Sequence, residues 1–296
     1  MKRAAARAGV GIGLAVSALA AAAAAVEAPA DPAPAAPALR FERNGALVRE
    51  IGIAVLAASC GASRVEVQDP YYGRAKQFWA CPFARVLDLG FGAGGWPRGD
   101  ANYFLHALDG YTRSASGQQL AQPGAFLAYA DAGRGGDAGG RDPRWEPIDR
   151  RQLDPAPAYL VWTLADADPH RLPWPYQLAR IEQAPFEARN PHTAPSGLPA
   201  SSAAWRGFAI FRGECVACHA VNGEGGRVGP DLNVPRSIVE YRPEAQIRDF
   251  VRDPQSFRYT SMPPHPHLSD ADLDALLAYF HAMSLRKVDP GARPHD

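Results

Sequence analysis

Between residues 40 and 189 the apolar positions recur at the spacing of short strands, and beyond residue 200 they recur at the spacing of helices. Val48 to Ala58 carries an apolar run, and Arg64 to Gln68 alternates around Val65 and Val67. Gly124 to Ala130 and Tyr159 to Thr163 read as buried strands, and Phe83 to Leu89 as a short helix. Asp131 to Arg141, with five glycines, predicts a long exposed loop rather than a phosphate cradle, since no G-x-G-x-x-G follows a strand and opens a helix. Trp96, Tyr103, Trp145, Trp162, Trp174 and Tyr176 are expected to fill a core. Pro173 to Tyr176 predicts an extended edge or turn. These features predict an α+β domain with a mixed or antiparallel sheet over 40–189, followed by a linker at 190–200.

The helical spacing then takes over. Ala204, Phe208 and Phe211 fall at i, i+4 and i+7 behind a candidate cap at Ser201 or Ser202. Ile247, Phe250 and Val251 form an apolar face after Pro243, and Asp253-Pro254 ends it. Leu273, Leu276, Leu277, Phe280 and Met283 form the stripe of a last helix, introduced by the capping pair Ser269 and Asp272. An all-α domain over 201–287 is therefore expected, with a tail at 288–296.

Composition adds a leader and removes some partners. Lys2, Arg3 and Arg7 precede an uncharged, Ala-rich run from Val10 to Ala25, the pattern of an export signal, here assigned to residues 1–28. An uncleaved leader would instead leave a membrane anchor. Residues 29–39 form a Pro/Ala linker. A net charge of +0 gives no reason to expect nucleic acid or an anionic membrane as partner. An exported, periplasmic protein with no membrane span after cleavage is the expectation.

The chemistry is concentrated in Cys215-Val216-Ala217-Cys218-His219. Two thiols three positions apart with an imidazole directly after them are what covalent attachment of one haem c requires, the histidine ligating iron from the proximal side. A redox C-x-x-C pair would not need His219, and a zinc site would need a second paired set of ligands that Cys60 and Cys81 do not supply by spacing. Of the three methionines, Met1 lies in the leader and Met283 on a helical core stripe, while Met262 sits in the stiff loop Ser261-Met262-Pro263-Pro264. Met262 is the candidate distal ligand, with His265 and His267 as alternatives. His106, His170, His192, His281 and His295 stand isolated in the sequence, and none joins a Ser or Cys in a nucleophile constellation.

From about Ala203 to Leu285 the chain resembles the monohaem c-type cytochromes of class I. The attachment motif, Gly207 and Tyr279 as the contact of crossing terminal helices, and a distal loop occur in the family's order. The resemblance implies that the Pro230 carbonyl accepts the Nδ1 hydrogen of His219 across the Gly-rich Asn222–Leu232 segment. By composition alone that segment could equally be a flexible surface loop.

In the preceding domain, Ala107-Leu108-Asp109-Gly110-Tyr111, Phe126–Tyr129 and Tyr159–Trp162 resemble the sulfite-oxidase-type molybdopterin-binding fold. That family places a molybdenum-ligating cysteine just after a strand, and the corresponding Val65–Pro70 stretch has none. The resemblance therefore implies a fold without its molybdopterin. Cys60 and Cys81 are left as a disulfide, two buried thiols, or a displaced metal ligand. The expected function is single-electron transfer between a donor dehydrogenase and an acceptor cytochrome or oxidase, with no catalytic residues and the front domain as docking module. The alternative is a molybdenum-dependent sulfite dehydrogenase-type enzyme with a fused haem acceptor.

Overall fold

The computed structural model of the chain describes residues 36–165 and 167–288. The predicted leader and most of the Pro/Ala linker lie outside the described residues, as does the tail after Val288. Alternation shapes the first half: in β3 (Ser63–Asp69) Val65, Val67 and Asp69 point inward. Before it come β1 (Ala38–Arg43) and β2 (Ala46–Gly52), and the single apolar run at Val48–Ala58 divides there. Its first part is an edge strand exposed from Ala46 to Glu50, and its second is the helix α1 (Ile53–Ser59), because Ile53, Leu56 and Ala57 stand at i, i+3 and i+4.

β4 (Arg74–Pro82) leads into α2 (Phe83–Phe91), the predicted helix, and then come β5 (Asn102–Ala107), β6 (Thr112–Ser116) and the single turn α3 (Gly117–Leu120). β7 (Ala125–Asp131), β8 (Tyr159–Trp162), β9 (Leu178–Gln183) and the short α4 (Phe186–Arg189) complete this region. The strands make two sheets rather than one. The first has the order β2-β1-β9-β5-β6 and is mixed, since β1 and β9 run parallel; the second, β3-β4-β7-β8, is antiparallel throughout. One core joins both sheets and both helices, and Trp96, Tyr103, Trp162 and Trp174 lie within it, with Trp145 and Tyr176 packed at its margin. The Trp162 indole donates to the Pro173 carbonyl at 2.6 Å and that of Trp174 to Ala167 at 3.0 Å, so neither ring is buried at the cost of a lost hydrogen bond.

Two features of this core carry specific energies. Cys60 and Cys81 form a disulfide across a sequence separation of 21. Replacing both cysteines by serine is expected to lower unfolding stability by about 3 kcal/mol in the chain-entropy account, measurable by urea denaturation. The Asp131–Arg141 loop is exposed at Gly133 to Gly135, Ala138, Gly139 and Arg141, as its glycines predict, while its first residue closes β7. Asp131 is fully buried at its start, and Lys76 Nζ lies 2.6 Å from Asp131 Oδ2 and 2.7 Å from Glu146 Oε2.

The C-terminal region is helical apart from two short strands. α5 (Ala203–Ile210) continues as a wider turn through Phe211–Cys215. Then come β10 (Ala220–Val221), β11 (Glu224–Gly225), α6 (Ile238–Tyr241), α7 (Glu244–Arg252) and α8 (Asp270–Ser284). Ser269 and Asp272 close a capping box on α8. Ser202 occupies the cap position of α5, but its hydroxyl is buried and unpartnered; the orphan amides of Trp205 and Arg206 are taken by its carbonyl instead. α5 and α8 cross in backbone contact, because an added Cβ at Gly207 would lie 2.0 Å from the Ala275 carbonyl and 2.7 Å from Tyr279 Cβ.

From Ala36 onward the chain is one compact unit. Phe186 stacks between Phe104 of β5 and Phe208 of α5, at 6.0 and 6.2 Å between ring centroids. The stretch expected as a linker is partly buried: Asn190 and Thr193 are inside, and Tyr279 Oη donates to the Thr193 carbonyl at 2.8 Å. The Ala107–Tyr111 turn meets the helical region edge to edge, with Arg227 N donating to Gly110 O at 3.0 Å and Thr112 N to Ala217 O at 2.8 Å. No described helix is long and apolar enough to cross a membrane.

Candidate functional site

The wide turn at Phe211–Cys215 passes Val216 N to the Phe211 carbonyl at 2.8 Å, an i→i+5 bond that shifts the chain out of the α5 register. Val216 and Ala217 consequently turn into the core, while Cys218 N and His219 N both return to the Cys215 carbonyl, at 3.1 and 2.9 Å. One tight turn therefore gathers two free thiols and an imidazole. His219 Nδ1 lies 2.8 Å from the Pro230 carbonyl oxygen. A carbonyl can only accept, so Nδ1 carries the hydrogen and Nε2 presents a lone pair; Nε2 has no hydrogen bond to the described residues.

The loop that supplies Pro230 is pinned rather than flexible. Gly226 N and Gly229 N donate to the carbonyls of Val216 and Cys218, each at 2.8 Å. The Asp231 carboxylate accepts from the amides of Gly223, Asn233 and Val234 at 2.6, 2.7 and 2.9 Å. Gly229 lies against the imidazole itself: an added Cβ would stand 2.4 Å from His219 Cε1. Gly229→Val is expected to tilt the ring off the Pro230 bond and lower the fraction of chains carrying haem, read as the ratio of haem to protein absorbance.

Electrostatics separates the alternative readings of the motif. Burial holds His219 below the usual histidine range, opposed by the Pro230 hydrogen bond, which favours the neutral imidazole that a metal ligand requires. Burial also pushes the Cys215 thiol up to about 12 and Cys218 to about 11. A redox C-x-x-C pair works through a depressed thiol pKa, so that reading does not fit this turn. The β-rich region supplies tyrosines on the Cys218 side. Tyr71 and Tyr176 meet edge to face at 5.6 Å, and burial, with the Cys218 thiol adding to it, holds Tyr111 above the usual tyrosine range although Arg113 opposes it.

The apolar side chains of the helical region fall into two clusters rather than one. The first, around Phe208, Phe211, Val216 and Tyr279, takes in Cys215; the second, Ile247, Val251, Leu268, Leu273 and Leu277, takes in Met262; Ile210, Ile238 and Val239 touch both. Cys215 on one cluster, with Cys218 in the same turn, and a thioether on the other suit an apolar planar group such as haem, so the donor set fits that cofactor.

The histidines are less scattered than the sequence suggests. His106 Nδ1 meets Thr112 Oγ1 at 3.2 Å and its Nε2 lies 3.4 Å from Glu182, His192 pairs with Glu224 at 2.6 Å, and His281 with Glu244 at 2.8 Å. His295 lies outside the described residues. His170 is not isolated, since it joins His265 and His267 around Glu214. His265-Pro266-His267, with its i, i+2 spacing, is the sequence signal that could have marked half of this group. In the β-rich region neither Cys60 nor Cys81 offers a thiolate, because each is consumed in the disulfide. The alternative with molybdenum on a displaced cysteine therefore has no ligand of the expected type there.

Residues 204–284 match the Cytochrome c family. Over 95 residues the chain is 32% identical to cytochrome c oxidase subunit 2 of Alkalihalophilus pseudofirmus, which covers 29% of this chain and 28% of that protein. Over 83 residues it is 41% identical to lupanine 17-hydroxylase (cytochrome c) of a Pseudomonas species, 27% of this chain and 11% of that protein. The chain thus spans little more than a quarter of the first relative and about a tenth of the second. These matches support a C-terminal c-type cytochrome domain over residues 204–284, and with it haem as cofactor and the electron-carrier role of that family; the structure places a β-rich region before it.

Proposed function

We propose that the chain is an exported electron carrier with one haem c covalently held by Cys215 and Cys218, and with His219 and Met262 as axial ligands. Haem c supplies reversible one-electron oxidation and reduction when bound. Cys215 and Cys218 fix its edge through thioether bonds, and Pro230 holds the His219 ring in the tautomer that aims Nε2 at the metal position. Met262 contributes a neutral thioether that favours the ferrous state. With both axial positions taken from the chain, the site suits transfer rather than catalysis, and no catalytic residue is assigned. Residues 201–287 form the haem domain in this reading, and 40–189 a docking module of molybdopterin-binding type that works without that cofactor. A periplasmic dehydrogenase as donor and a cytochrome or oxidase as acceptor are the partners expected.

The observation that carries the proposal is the His219 imidazole, tethered at Nδ1 by Pro230 at 2.8 Å with Nε2 free, one turn from two free thiols. Its test is purification from the periplasm of a host able to attach c-type haem. The mature protein should be recovered there, reduced by dithionite and reoxidised by a soluble cytochrome without substrate turnover. Recovery from the cytoplasm alone, or sulfite-dependent reduction with stoichiometric molybdenum, contradicts it.

A further inference from the structure

His170, Glu214, His265 and His267 converge where the loop between β8 and β9 meets the helical region, each offering one ligand atom, and all four atoms lie within 4.8 Å of one another. His170 Nδ1 and His265 Nδ1 stand 3.3 and 3.4 Å from Glu214 Oε2, and His267 Nε2 stands 3.5 Å from Oε1. The three rings are mutually packed, with centroids 4.7 Å apart for His170 and His267, 5.4 Å for His170 and His265, and 5.7 Å for His265 and His267. The His265 side chain is only 4% exposed, and its Nδ1, which faces Glu214, makes no hydrogen bond. A buried ring nitrogen without a partner is unfavourable unless something else engages it.

We propose that these four residues form a zinc site, distinct from the haem, that fastens the β-rich region to the haem domain. Three imidazoles and one carboxylate are a complete tetrahedral donor set for Zn²⁺, with no position left open for a substrate. Bonds of about 2.0–2.1 Å place tetrahedral ligand atoms about 3.3–3.4 Å apart. The two distances to Glu214 Oε2, 3.3 Å from His170 and 3.4 Å from His265, already have that value; His267 stands 3.5 Å from the other oxygen, and ligand atoms that lie within 4.8 Å of one another close on the ion by ring and carboxylate rotation.

The ligands come from three segments: His170 from the β-rich region, Glu214 from the residue before Cys215, and His265 and His267 from the segment that follows Met262. The ion would therefore tie the Met262 loop and the haem-attachment turn to the neighbouring domain. It also employs His265 and His267 away from iron. His267 and His170 are 42% and 32% exposed, which gives the ion a route in.

The test uses the full haem-loaded protein, stripped with a chelator and titrated with Zn²⁺ against a chromophoric competitor, with zinc per chain counted by elemental analysis. One zinc per chain is expected, with affinity at least about tenfold weaker in His265→Gln and in the folding-safe surface variant His267→Gln. His281→Gln should bind as wild type, and added zinc should raise the melting temperature of wild type and His281→Gln but not of His265→Gln or His267→Gln at the same concentration. The proposal is overturned if wild type takes up no zinc, or if His265→Gln and His267→Gln bind it as wild type does. Loss of the haem absorbance signature in His265→Gln with zinc uptake intact would overturn it too, by assigning that ring to iron.

Discussion

Lys76→Ala should lower the unfolding free energy by about 3–5 kcal/mol, and the melting temperature by about 6–20 °C. Lys76 is 3% exposed and sits on the inward face of β4 with Phe78 and Ala80, where period-2 packing calls for an apolar residue. Its ammonium is held by Asp131 Oδ2 at 2.6 Å and Glu146 Oε2 at 2.7 Å, and lies 4.5 Å from the centre of the Tyr72 ring. Asp131 is 0% exposed, so removing the lysine leaves a buried carboxylate without the ammonium that balances it. Because the loss comes from stranding Asp131, Lys76→Met combined with Asp131→Leu should recover most of it. Equal destabilisation of the single and double variants in thermal unfolding would show that the pair is not the cause.

The second large effect concerns the redox centre. Met262→Ala should lower the midpoint potential, within the roughly 0.8 V range over which axial ligands set haem potentials, and open the distal position to carbon monoxide. Met262 sits half-buried at the edge of the Ile247, Val251 and Leu268 cluster, and its amide donates to Thr260 Oγ1 at 3.2 Å. Truncating it should therefore cost little of the fold, which separates loss of a ligand from loss of the protein. A Met262→Ala variant that keeps a thioether-type spectrum and an unchanged potential would remove Met262 from the site.

How much of this was legible beforehand depended on how far apart the partners lie in the chain. The turn from Cys215 to His219 needs no tertiary information, because residue type and spacing carry its chemistry. The Gly207 contact was legible only through the resemblance to c-type cytochromes, and its physical basis is that the backbone of Ala275 occupies the space a side chain would need. The run at Val48–Ala58 was ambiguous because its strand half is an exposed edge, so the apolar content reported burial only for α1. Groupings between distant residues left almost no trace. Lys76 meets partners 55 and 70 residues away, and His170 lies 44 residues before Glu214, separations over which no periodicity argument reaches. The pairing of Cys60 with Cys81 lies between these cases: spacing allowed it, but only the packing of α1 on β4 brings the sulfurs together.

The glycine-rich segment shows how composition can mislead. Four glycines between Asn222 and Leu232 suggest mobility, yet their amides and close approaches are what let the segment lie flat under the attachment turn. Asp231 then fixes it through three amide hydrogen bonds, which makes Pro230 a defined acceptor rather than a passing one.

The central claim is that Cys215, Cys218 and His219 hold a single haem c. Intact-mass analysis under denaturing conditions, on protein made in a host that attaches c-type haem, tests it most directly. The wild-type chain should carry the mass of one haem that survives denaturation and extraction, and Cys215→Ala/Cys218→Ala should carry none. A wild-type chain at its bare polypeptide mass, or a double variant that keeps the added mass, would contradict the account.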